Sequence, residues 1–157
     1  MAMRTALATG IGLTLALCAG ADAAAQGGAP AFDPALARAV GADERGMRGY
    51  VLVILKTGPT KVPAGKERDE MFKGHFGSIY RLAAENKLVL AGPLDGVDGW
   101  RGLFILAVAD IEEAKRHVAT DPVILQGEMI AEYHRYYGSA ALMLVNDAHQ
   151  RLEPKRP

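Results

Sequence analysis

The chain has 157 residues, 50% of them hydrophobic and 23% charged, which is the balance of a folded globular protein and excludes a disordered or fibrous one. Lysine plus arginine and aspartate plus glutamate both count 18, so no net positive field exists to gather a phosphate backbone, and nucleic acid is not an expected partner.

The chain opens on Arg4, a 14-residue uncharged apolar run over 6–19, and Ala23-Ala24-Ala25 ahead of Gln26. A positive start, an apolar stretch and an A-x-A site read as a secretory signal peptide over residues 1–25. The expected location is periplasmic or secreted, with no membrane attachment after cleavage. A permanent anchor is the other reading, but a spanning helix needs about 20 apolar residues, and Gly10, Gly12 and Gly20 weaken the stretch. Cys18 suggests a lipoprotein signal, although Leu17 is larger than the small residue that normally precedes an acylated cysteine. Cleavage after Ala25 leaves 132 of the 157 residues, enough for one domain with a core. It also removes the only cysteine, and with it disulfides, thiolate catalysis and cysteine-ligated metals.

Residues 26–48 read as a flexible leader with one helical turn near Asp33-Pro34-Ala35-Leu36. Residues 50–56 (YVLVILK) form an expected strand, apolar on both faces and stopped by Thr57-Gly58-Pro59. Over residues 67–86 the spacing changes. At about 100° per residue, Met71, Phe72, His75, Phe76, Ile79, Leu82 and Ala83 fall in an arc of roughly 140°, opposite Glu67, Glu70, Lys73, Arg81 and Glu85, which predicts an amphipathic helix. A strand over 87–91, a Gly-rich loop over 94–99 and a strand over 100–108 follow, the last again apolar on both sides. Asp110 with Glu113 is a capping box that starts a second helix at Ile111. That helix ends before Asp121-Pro122, where a short helical turn over 122–125 is expected. Residues 131–137 (AEYHRYY) read as the fourth strand, and 140–152 as a helical tail.

The order is β-α-β-β-α-β, an α+β ferredoxin-like arrangement with a four-stranded antiparallel sheet and both helices on one face. Two helices cover one side only, so the second apolar face needs another cover. A second subunit, giving a two-fold dimer that forms an α+β barrel around a cavity, is the simplest. A monomer covered by its own C-terminal segment is the alternative.

Nucleotide, hydrolase, zinc and redox motifs are missing; Gly65-Lys66 resembles the end of a phosphate loop, but Glu67 stands where serine or threonine is needed. His75 is the polar residue on the buried helical face. Two readings are open: a core histidine with both nitrogens satisfied, and a proton-transfer group bordering a pocket. A base needs its other nitrogen oriented by an acceptor, and Asp95 and Asp98, in the loop after the second strand, are both available. Both are also residues that tight turns favour. Arg101 can bind a substrate carboxylate or be a solvated strand end, and its neighbour Trp100 is a second candidate for substrate binding. Glu132 and His134 share a strand face but are too few to hold a metal, so neither a metal nor a cofactor is expected.

The segments YVLVILK, HFGSIYRLAAENKLVLAGP, WRGLFILAVADIEEAKRHVATDP and YYGSA together resemble the YciI-like (YCII-related) family of the dimeric α+β barrel superfamily. The resemblance spans roughly residues 50–141, and places the domain at 49–141 with a C-terminal extension at 142–157. It implies the ferredoxin-like fold, a homodimer, and a small-molecule pocket near a histidine–aspartate pair, with His75 matching the histidine and Asp98 the aspartate after Gly92-Pro93. It further implies, from a dehydrochlorinase in the family and muconolactone isomerases among related barrels, a cofactor-independent lyase or isomerase acting on a small organic acid or lactone. Many members are cytoplasmic, so the export signal and the extension depart from the pattern. A non-catalytic periplasmic small-molecule-binding or interaction module is the competing function.

Overall fold

A computed structural model describes residues 31–154; the signal peptide expected over 1–25 lies outside the described residues. The elements run α1 (Pro34–Ala39), β1 (Met47–Thr57), α2 (Lys66–Ala84), β2 (Leu88–Pro93), β3 (Trp100–Leu106), α3 (Ile111–Val118), α4 (Pro122–Leu125), β4 (Met129–Ser139) and α5 (Val145–Leu152), with 3-10 turns at Val97–Gly99 and Ala140–Leu144. The four strands form one antiparallel sheet in the order β2-β3-β1-β4. This is the expected βαββαβ arrangement.

Alternation along β1 divides the sheet. Val51, Val53 and Leu55 point to the helices and join Met71 and Leu82 of α2, Ala114 and Val118 of α3, Val123 of α4, and Phe104 and Leu106 of β3 in the main core. The helix starts have local causes. Asp110 accepts the Glu113 amide at 2.8 Å, and Glu113 reaches back to the Ala109 amide at 3.0 Å. Asp33 caps α1 through the Ala35 and Leu36 amides, so the leader is structured from that residue onward. Arg48 Nη1 donates to the Val40 carbonyl at 2.8 Å, and the Tyr137 hydroxyl donates to Asp43, tying the leader to β1 and β4.

The opposite face carries Tyr50, Val89 and Ile105, flanked by Leu52, Leu103 and Ala107. The chain itself covers part of it. After β4, the Ala140 amide donates to the Gly46 carbonyl at 2.9 Å and the Tyr50 hydroxyl to the Ser139 carbonyl at 3.0 Å, which turns the backbone across the sheet. Leu142 and Met143 then pack on the Tyr50 cluster. The physical reason is economy of length: a five-residue turn is enough to bring two large apolar side chains over the sheet. Farther along, Asn146 Nδ2 donates to the Leu88 carbonyl at 2.8 Å, seating α5 against the β2 edge. Ile130 on β4 stays 49% exposed.

Candidate functional site

Amphipathicity sends His75 inward. It lies on the buried stripe of α2 with Met71 and Leu82, and its ring packs among Phe72, Phe76 and Phe104 at centroid distances of 6.1, 5.5 and 6.0 Å. An imidazole in such an apolar setting needs a polar partner. It has one in Asp121, whose Oδ2 lies 2.7 Å from His75 Nδ1, both side chains being buried. Asp121 is also the N-cap of α4: its Oδ1 accepts the Val123 amide at 3.1 Å. One carboxylate therefore fixes the start of a helix with one oxygen and an imidazole with the other.

The approach of α2 and α4 makes this contact possible. Gly74 faces Pro122, and a Cβ at position 74 would sit 2.7 Å from Pro122 Cγ. The backbone can approach this closely because position 74 has no side chain.

A cavity of about 540 Å³ opens beside the dyad. Its walls include Leu55, Phe72, Phe76, Ile79, Tyr80, Phe104 and Met129, and its polar side chains include His75, Arg101 and His149. Among the described residues no buried side-chain nitrogen or oxygen lacks a partner. His75 Nε2, the nitrogen turned away from Asp121, thus meets accessible space at the cavity.

Arg101 Nη1 stands 3.9 Å from Glu128 Oε1. Glu128 is itself buried, accepting the Val62 amide at 2.8 Å and Arg68 Nη1 at 2.6 Å. Burial pushes its carboxyl up, but the Val62 amide, the Arg68 hydrogen bond and the charges of Arg68 and Arg101 outweigh that and hold it below the ordinary carboxylate range. Arg101 is thereby held at the wall by a carboxylate that stays ionised.

The structure places His75 and Arg101 on the walls of one cavity and pairs the imidazole with Asp121 rather than with Asp98 or Asp95. Asp98 is exposed in the Val97–Gly99 turn at a φ of 54°, where it shapes the β2–β3 connection. Asp95 accepts the Val97 amide at 3.2 Å in the same loop. Both aspartates serve the turn, and Asp121 holds the imidazole. Trp100 is 43% exposed at the start of β3 and does not line this cavity, so no substrate-binding wall is built from it here. Glu132 accepts from Lys56 at 3.2 Å and contacts His134 at 2.7 Å on the surface. Among the described residues no third metal-ligating group joins them.

Sequence reasoning missed Asp121, Glu128 and His149. In the sequence Asp121, before Pro122, marks only a helix boundary; the glycine next to His75 in mid-helix is the signal that another element approaches there. Glu128 carried no local signal, because its partners lie 60 and 66 residues away.

The model of a family described as the YCII-related domain matches residues 49–134. No curated protein matches the chain. A solved structure of 5-chloro-2-hydroxyhydroquinone dehydrochlorinase from Burkholderia phenoliruptrix, in complex with 2,5-dihydroxybenzoquinone, is similar at 20% identity over 55% of this chain and 92% of that one, with a TM-score of 0.43.

Proposed function

The chain belongs to the YCII-related domain family, and on that premise we propose that it is an exported, homodimeric enzyme that moves a proton on a small organic acid or lactone, as a cofactor-independent isomerase or lyase. The observation that carries this reading is the division of labour on His75: Nδ1 is engaged by a buried carboxylate at 2.7 Å while Nε2 opens on a largely apolar cavity.

A neutral imidazole that donates Nδ1–H to Asp121 leaves a lone pair on Nε2, and the carboxylate steadies the imidazolium that forms when this nitrogen takes a proton. Arg101 supplies the charge to hold an acid group. A substrate so held presents the carbon next to its carbonyl or carboxyl to Nε2. Returning the proton at another carbon is isomerisation; expelling a leaving group from the neighbouring carbon is elimination.

The test is carbon-bound hydrogen exchange in D2O, followed by NMR across a panel of small acids and lactones. Wild type is expected to exchange at least one member of the panel, His75→Gln to lose that activity by about 10²–10⁴-fold, and Asp121→Asn to lose most of it. Binding of acids with no exchange in any case would overturn the enzyme reading in favour of a binding module.

A further inference from the structure

Resting on that reading of the cavity, we propose that α5 is one wall of the site and that His149 is a specificity residue, which together with Arg101 selects ring-sized acids bearing two acidic groups over monoacids.

The placement follows from two contacts. Leu142 and Met143 anchor the tail on the second face of the sheet, and Asn146 fixes α5 to the β2 edge through the Leu88 carbonyl. One helical turn beyond Asn146 comes His149, which lines the same cavity as His75 and Arg101 although it lies outside the family domain at 49–134. The cavity is thus completed by a segment that its own domain does not supply.

The chemistry of the lining favours an anion. Its ionisable side chains are His75, Arg101, His149 and Tyr80, and no carboxylate is among the described residues that line it. Phe72, Phe76, Tyr80 and Phe104 offer flat apolar surface that suits a planar ring. With His75 reserved for proton transfer and Arg101 for one acid group, His149 is the donor left for a second. A hydrogen bond to a charged group is worth about tenfold or more in affinity.

The probes are benzoate and the three benzenedicarboxylates, whose isomers scan the separation between acid groups. Affinities are measured by calorimetry at pH 6.5 on the full mature chain, with the His75 ring signals in NMR reporting occupancy of this cavity. At least one dicarboxylate is expected to bind wild type about tenfold or more tighter than benzoate. His149→Phe should abolish that preference, and His149→Arg should retain it. The ratio within each variant is insensitive to a general loss of stability. Equal binding of benzoate and all dicarboxylates to wild type, or an undiminished preference in His149→Phe, overturns the role of His149 and leaves the cavity reading intact. Failure of every probe to bind or to shift the His75 signals overturns both.

Discussion

Gly74 on α2 and Pro122 on α4 approach so closely that a Cβ added at 74 would come within 2.7 Å of Pro122 Cγ. Gly77, one turn along the same helix, has nothing within 4 Å of the corresponding position. Alanine normally stabilises a helix interior relative to glycine by about 1 kcal/mol. At 77 that gain should appear. At 74 the overlap with a rigid ring opposes it, and overpacking of about 1–3 kcal/mol sets the sign. Gly74→Ala is expected to destabilise and Gly77→Ala to stabilise in urea denaturation; the same sign at both positions would contradict the packing described.

The Asp121 contact fixes a tautomer. Because the carboxylate accepts at Nδ1, neutral His75 should carry its proton on Nδ1, leaving Nε2 bare. Nitrogen-15 shifts of the ring read this directly. Asp121→Asn should shift the ring toward the Nε2–H form, while the retained amide oxygen can still cap Val123. A wild-type ring protonated on Nε2 when neutral would remove the proposed base.

Glu128 makes stability pH-dependent in one direction. Its folded carboxyl titrates below the ordinary value of 4.5, since the Val62 amide and Arg68 together overcome the opposing effect of burial. A depressed folded pKa gives stability that is present above about pH 4.5 and lost as pH falls through the folded value. Glu128→Gln should therefore cost roughly 3 kcal/mol near neutrality by leaving Arg68 without its charged partner, and the gap from wild type should narrow in acid below pH 4.5. A gap that widens in acid would show the sign to be wrong.

The proposed homodimer predicts a mass. Ile130 is 49% exposed and Tyr136 37% exposed on the β4 side of the second face, beyond the reach of Leu142 and Met143. The mature chain should elute with twice its monomer mass in light scattering, and Ile130→Glu should shift it toward the monomer. A wild-type monomer at micromolar concentration would sink the pairing.

The proposed export predicts a terminus. Expressed with its leader in a Gram-negative host, the protein should be recovered from the periplasm beginning at Gln26 by mass spectrometry. An intact Met1 in the cytoplasm, or a lipid mass on Cys18, would reject cleavage after Ala25.

The fold was legible because its signals are local. YVLVILK is a short aliphatic run closed by Thr57-Gly58-Pro59, Asp110 and Glu113 form a capping pair three residues apart, and Pro122 marks the first position of α4. His75 was legible as a polar group on an apolar stripe. Its partner was not, because an aspartate before proline is already explained by the turn it makes, and its second oxygen reaches across 46 residues of sequence. Leu142 and Met143 were likewise hidden: a short tail carries no periodicity that says which face of a sheet it will cross.

The Asn146 contact on the Leu88 carbonyl bears on how copies of this protein can join through their backbones. A sheet with two bare margins can polymerise, each molecule docking onto the last. With α5 seated against β2 at Leu88, that part of the β2 margin is engaged, and β4 is the opposite margin of the sheet. The tail thus removes one of the two margins through which sheets could join edge to edge, and it does so with a side-chain hydrogen bond to a strand carbonyl.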